Sequence, residues 1–178
     1  MVRLCLGVCA VALLVGCSTK REENLLQSYT QKIAYHKHLQ YTEKAELYDG
    51  DNAKVMVTAT YLFRQNFEKN DKRPETFIVG VAFDDTPNAT LSFDANNIGK
   101  TYTLTLNHQS AQKVQELALN DKRLKGISFV NEWGSYYEVT FAHVNSKRFS
   151  LLLEHPRYGK KRLAYAKVAK FVYTKKSF

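Results

Sequence analysis

Apolar and polar side chains alternate one by one along much of this chain. In residues 101–107, threonines alternate with Tyr102, Leu104 and Leu106. In residues 77–83 a period of two places Phe77, Val79, Val81 and Phe83 on one face. A strand directs successive side chains to opposite faces of a sheet, so each such segment is predicted to be a strand with one buried face. The 11 Tyr and 10 Phe against 3 Pro agree with this prediction, because aromatic rings pack well on a half-buried pleated surface.

Short polar turns separate the alternating segments, and residues 49–52 give a strong turn signal between two of them, which predicts a hairpin. Residues 22–37 and 110–119 instead carry apolar residues at helical spacing, with Ser110 as the cap of the second helix. The predicted strands are residues 39–48, 54–64, 77–83, 90–93, 101–107, 127–132, 136–144, 149–153 and 163–173.

Short antiparallel strands that each have one apolar face predict an all-β fold. We expect an antiparallel β-sandwich or a partly closed barrel, with an N-terminal helix and one short inserted helix. A single antiparallel sheet covered by the two helices is the alternative.

The N-terminus has a different character. Arg3 is followed by an unbroken small or apolar run, residues 4–15. This run is shorter than the roughly 20 residues of a membrane-spanning helix, and with its basic tip it is typical of a secretory signal peptide. The run ends in Leu14-Val15-Gly16-Cys17, which resembles the lipobox of bacterial lipoproteins.

The resemblance implies cleavage before Cys17, a diacylglyceryl group on its sulfur and acylation of its amine. It divides the chain into a signal peptide (1–16), a lipid-anchored N-terminal segment and helix (17–38) and a β-sandwich domain (39–178). The other two cysteines, Cys5 and Cys9, would leave with the signal peptide. A mature chain without free thiols suits an oxidising compartment. Ser18 follows the cysteine, which in enteric lipoproteins favours the outer over the inner membrane.

No arrangement of side chains in the sequence predicts catalysis. His36 and His38 would share one side of an extended strand, and Asp84 and Asp85 are adjacent, but no third ligand has recognisable spacing. No serine or cysteine is paired with a histidine in a triad pattern. The sequence therefore predicts a non-catalytic binding or structural role in the cell envelope, without a cofactor or a metal. A metal-dependent or hydrolytic envelope enzyme is the alternative.

The charge is basic. The formal net charge of +9 becomes +8 when Arg3 leaves with the signal peptide, and no acidic residue follows Glu154. A basic balance favours anionic partners. We expect the membrane as a partner through the lipid anchor, with anionic lipid, a glycan or another envelope protein as further partners. Nucleic acid is not expected, because an exported lipoprotein rarely meets it.

Consecutive hairpins place successive turns at opposite ends of a sheet, so the four predicted strands from residue 127 onwards predict two clusters. The first end is the candidate recognition surface, with core packing as the alternative for its aromatic residues: Trp133, Tyr136, Arg157, Tyr158, Lys160, Lys161 and Arg162. The second end would suit contact with an anionic surface, with plain solubility as the alternative: Lys122, Arg123, Lys125, Lys147, Arg148, Lys175 and Lys176.

Overall fold

A computed structural model describes residues 32–33, 35–62, 72–84 and 89–167 of the chain. Cys17, Asp85, Lys175 and Lys176 lie outside these residues, as does most of the predicted N-terminal helix. The described part holds nine strands and two 3-10 turns, the latter at Ala95–Asn97 and Lys122–Leu124. The strands are β1 (Thr42–Asp49), β2 (Asn52–Tyr61), β3 (Glu75–Phe83), β4 (Leu91–Ser92), β5 (Tyr102–Leu106), β6 (Lys113–Leu117), β7 (Ser135–Phe141), β8 (Arg148–His155) and β9 (Gly159–Ala166).

The strands form two sheets, which confirms the predicted all-β fold. The five-stranded sheet has the order β1-β2-β3-β7-β6 and is antiparallel throughout. The four-stranded sheet has the order β4-β5-β8-β9 and is antiparallel except for the short parallel pair β4–β5. Among the described residues the sheets pack as a sandwich rather than close into a barrel. The single-sheet alternative is therefore wrong.

The inward faces of the two sheets share one hydrophobic core. Phe77 of β3 lies at its centre and is fully buried. Its ring centroid is 5.0 Å from that of Tyr61 and 5.2 Å from that of Tyr165. The rings of Phe141 and Phe149 lie edge-on at 5.9 and 6.2 Å. These side chains occupy alternate positions of their strands that face the core, as expected for strands with one buried face.

The predicted helix at residues 110–119 is wrong. The segment is extended instead and forms β6, paired with β7 through partners such as Leu117 and Tyr136. Only Leu117 of this strand is buried, and Val114 is exposed. Pairing with the open edge of β7 supplies backbone hydrogen bonds that outweigh the weak preference of a short apolar pattern for a helix.

The predicted strand at residues 127–132 is wrong as well. Residues 118–134 form a long loop that folds across the outer face of the five-stranded sheet. Leu124 and Ile127 in this loop pack on Ile78, Leu117 and Tyr136, which makes a second, smaller core on that face. Phe129 has a φ of 66°, which interrupts any extended run. Folding of this loop over the sheet buries Ile127 and partly buries Val130, whereas Phe129 stays half exposed.

The two ends of the sandwich differ in which segments they hold. At the entry end β1 begins, β2 ends, β3 begins, β7 ends, β8 begins and β9 ends. At the far end lie the β1–β2 turn, the start of β7 and the β8–β9 turn.

The backbone of residues 35–39 is helical where a strand was predicted to start at Leu39. Within the described residues, no helix is both long and apolar enough to cross a membrane.

Candidate functional site

Trp133 is the most exposed large apolar side chain among the described residues, with 86% of its surface accessible. It lies at the far end, just before β7 begins. Together with the segment that follows β6 it lines an open pocket of about 680 Å³. The pocket is lined by Leu119, Asn120, Val130, Asn131, Glu132 and Trp133. This Trp133 pocket combines an exposed indole with two aliphatic side chains and a few polar groups.

Tyr136 holds the loop that carries Trp133. Its hydroxyl accepts the N–H of Asn131 at 2.7 Å and donates to the Asn131 carbonyl at 3.1 Å. The side-chain oxygen of Asn131 accepts the N–H of Trp133 at 3.0 Å. Tyr136 is buried, so it positions the loop and does not line the pocket. The indole is therefore presented by a preorganised segment.

Two glycines leave room for the Tyr136 ring. A Cβ added at Gly80 would lie 2.8 Å from Tyr136 Cε1, and one added at Gly134 would lie 2.7 Å from the Tyr136 hydroxyl. In the same loop, Phe129 is half exposed with its φ of 66°. A bulky residue in this region costs about 1–2 kcal/mol, and such strain concentrates at functional sites.

The other members of the predicted recognition surface also lie at the far end. Beside them, the His155 ring stacks on Tyr158 with 4.4 Å between centroids and makes a tilted contact with Tyr102 at 4.2 Å. Arg157 lies 5.4 Å from the Tyr158 centroid, and its Nη2 donates to Asp49 Oδ2 at 2.8 Å. Burial of the imidazole and then the nearby Arg157 charge lower the pKa of His155. Lys160, Lys161 and Arg162 follow on β9 and are exposed.

These residues do not form one surface with Trp133. Asp49, which binds Arg157, ends β1 at one edge of the five-stranded sheet. Trp133 precedes β7, which lies next to the opposite edge. Within the part of the chain that the structure describes, no hydrogen bond, ion pair or ring contact joins the β8–β9 turn to the Trp133 pocket. The far end therefore carries two separate features, the Trp133 pocket and the β8–β9 turn.

The predicted cation cluster is divided too. Lys147 and Arg148 are exposed at the entry end, whereas Lys122, Arg123 and Lys125 lie on the loop over the outer face. Arg123 is ion-paired: its Nη2 is 2.7 Å from Asp121 Oδ2. Hydrogen bonds from the side chain and the backbone N–H of Arg123 to the Asp121 carboxylate lower the pKa of Asp121 to about 2. Lys122, Arg123 and Lys125 were predicted at an end of the sheet because a strand was expected to follow them at residues 127–132. Since these residues form a loop instead, the three cations lie over the outer face of the sheet.

The residues of the enzyme alternative are spread out. His36 and His38 lie on helical backbone, where residues two apart point in nearly opposite directions, so the expected shared side is wrong. His38 Nδ1 lies 3.1 Å from the Gly126 carbonyl, which ties the N-terminal segment to the loop over the sheet. Asp84 accepts from Lys54 at 3.1 Å. Within the described residues, no group of three or more His, Cys, Asp or Glu side chains is arranged to hold a metal ion.

One polar cluster was not anticipated. Glu75 is 2% exposed, and its Oε1 accepts the Val144 N–H at 2.9 Å and the Lys167 ammonium at 2.5 Å. The Tyr61 hydroxyl donates to its other oxygen. His143 Nδ1 lies 3.4 Å from the same carboxylate. This Glu75 network joins β2, β3, the β7–β8 connection and the end of β9 at the entry end.

No family model, no curated protein and no solved structure matches this chain.

Proposed function

We propose that this chain is a non-catalytic binding protein of the bacterial cell envelope. In this proposal a lipid on Cys17 holds it on the membrane, the outer membrane rather than the inner one, and the Trp133 pocket binds another envelope protein. The observation that carries the binding role is the Trp133 pocket. An indole that is 86% exposed on a loop held by Tyr136 is an open, preorganised contact surface.

The chemistry of the pocket favours a protein partner over a glycan. Leu119 and Trp133 both present exposed apolar surface, and Val130 adds to it. The side-chain oxygen of Asn131 already accepts the backbone N–H of Trp133, so fewer polar groups of the pocket remain for sugar hydroxyls. Exposed apolar patches mark interaction sites, and tryptophan is enriched among the residues that dominate binding energy at protein interfaces.

The anchoring part of the proposal is supported by the residues around Cys17 and by the position of the three cysteines, all within the first 17 residues. Two or three acyl chains give nearly permanent membrane attachment, because each buried methylene adds about 0.8 kcal/mol.

We expect a Cys17→Ala variant not to be cleaved before position 17, so that it keeps residues 1–16 and lacks the lipid. Intact-mass analysis of membrane-extracted protein should show the loss of residues 1–16 plus a lipid adduct for the natural chain and not for Cys17→Ala. Cys5→Ala and Cys9→Ala serve as matched controls, because each also removes one thiol from the N-terminus, and both should mature normally. A Cys17→Ala protein that is still cleaved and membrane-bound would refute the anchor.

For the pocket, we expect a photoreactive amino acid at position 133 to crosslink the full-length protein to a discrete envelope protein in intact cells. Position 48 is the matched control, because Tyr48 is also an exposed aromatic residue at the far end, on the opposite edge. Once the partner is known, Trp133→Ala should weaken its binding by about 30-fold or more, since tryptophan hot spots contribute 2 kcal/mol or more. Tyr48→Ala should leave it unchanged.

Adducts that are equal from the two positions would refute the Trp133 pocket as the binding site. The absence of a protein adduct, together with Trp133-dependent retention on envelope polysaccharide, would assign the pocket to a glycan instead. Neither result bears on the lipid at Cys17, which the mass measurement tests by itself.

A further inference from the structure

Exposed charges are segregated between the two ends of the sandwich. The entry end consists of residues 38–43, 61–62, 72–76, 106–113, 141–148 and 166–167. Its exposed cations are Lys72, Arg73, Lys113, Lys147 and Arg148. The far end instead mixes both signs, for example Asp49 with Arg157 and Asp84 with Lys54.

The described residues of the entry end include few acidic side chains. In the ranges that define it, the acidic residues are Glu43 and Glu75. Glu75 is buried and compensates Lys167 within the Glu75 network. Glu43 is half-buried on β1. The described surface at this end is therefore strongly cationic.

The Glu75 network also holds the cation-bearing segments together. The Arg73 carbonyl accepts from His143 Nδ1 at 2.9 Å when that nitrogen carries a proton. The N–H of Lys167 donates to the Lys147 carbonyl at 2.9 Å. The loop before β3, the β7–β8 connection and the end of β9 thus form one fixed surface, and its charges cannot easily spread apart.

The path of the chain gives this surface a direction. β1 starts at the entry end with Thr42, and Cys17 precedes it by 25 residues. A chain of that length spans at most about 90 Å, so the domain stays close to a bilayer that holds Cys17. β9 ends there as well.

We propose that the entry end binds the anionic lipid headgroups of the bilayer that holds the Cys17 lipid, which directs the Trp133 pocket away from that bilayer. The inference rests on the proposed lipid anchor. Each exposed cation near an anionic bilayer strengthens binding by about fivefold, so four of them suffice to hold an already tethered domain in one orientation. The pocket at the far end then faces partners on the side opposite the membrane.

The test uses the mature, lipidated protein inserted in vesicles. The mature chain has no free thiol, so one introduced cysteine can be labelled specifically. A fluorophore is placed at Ser146→Cys on the entry end or at Lys100→Cys on the far end, where β5 begins beside the end of β8. Both are measured against a headgroup quencher in phosphatidylcholine vesicles with and without phosphatidylglycerol. We expect the Ser146→Cys label to be quenched strongly with phosphatidylglycerol only, and the Lys100→Cys label weakly in both.

Quenching at position 146 should fall to the level of neutral vesicles in about 1 M salt, where the Debye length is about 3 Å. It should fall equally in the variant Lys72→Gln/Lys113→Gln/Lys147→Gln/Arg148→Gln. The matched variant Lys100→Gln/Lys160→Gln/Lys161→Gln/Arg162→Gln removes four exposed cations outside the entry end and should keep the quenching at position 146. Thermal unfolding of both variants checks that each is folded.

Equal quenching of the two labels, or no effect of the entry-end variant, would overturn the proposed orientation. Co-flotation of the protein with the vesicles is scored separately. Protein that floats but shows no preferred end refutes this inference and leaves the anchor intact, whereas protein that does not float refutes the anchor.

Discussion

Replacing Glu75 by alanine is expected to lower the free energy of unfolding by about 3–5 kcal/mol, the usual effect of removing one partner of a buried ion pair. Glu75 is 2% exposed and its carboxylate accepts from Lys167 and Val144. The variant therefore leaves the Val144 N–H without this acceptor and the Lys167 ammonium, which also donates to the Val144 carbonyl, without this counter-charge. The hydroxyl of Tyr61 loses its acceptor as well. For a domain of this size we expect Tm to fall by roughly 6–20 °C.

The measurement is thermal or urea unfolding of the variant beside two companions. Glu75→Gln keeps a side-chain oxygen that can accept but loses the charge opposite Lys167, so its effect should be intermediate. Asp84→Ala removes a carboxylate from the exposed pair with Lys54 and should shift Tm far less. A Glu75→Ala protein that unfolds like Asp84→Ala would show that the Glu75 network does not stabilise the entry end.

Replacing Phe77 by alanine is expected to cost about 3–5 kcal/mol, because it empties the centre of the core between the two sheets. The ring is fully buried and contacts Tyr61 from β2 and Tyr165 from β9. Edge-to-face aromatic contacts add to the burial of apolar area. The loss should therefore lower Tm by an amount similar to that of Glu75→Ala.

Phe77→Leu should cost less, because leucine refills part of the cavity. Phe129→Ala is the matched control, since it removes the same atoms from a half-exposed site at positive φ. Equilibrium urea unfolding should show a large loss for Phe77→Ala and a small change for Phe129→Ala. Equal effects of the two alanine variants would contradict the position of Phe77 at the centre of the core.

The candidate site was predictable only in part. The indole of Trp133 was recognisable as a candidate because the chain has one tryptophan, in its densest aromatic segment. Leu119 and Asn120 join it because β6 ends beside the start of β7, a pairing that local patterns did not indicate. Tyr136 looked like a second contact residue, but its ring lies under the loop between Gly80 and Gly134.

The Glu75 network could not be predicted from the sequence. Its members Glu75 and Lys167 are 92 residues apart, and Tyr61 and Val144 come from two further segments. An isolated glutamate at the start of a strand has the same appearance whether it is solvated or buried. Only the meeting of four segments at one end makes its burial possible.

The sequence by itself determined that the chain is built of strands and which side chains form the main core, because a period of two assigns each residue to a face regardless of which strand lies beside it. Tertiary structure alone decided the order of the strands, the conversion of residues 113–117 into the edge strand β6, and the folding of residues 118–134 over the sheet. It also decided that exposed cations gather where β1 begins. These features depend on pairing and packing between segments far apart in the chain, whose energies exceed the local preferences that a sequence pattern reports.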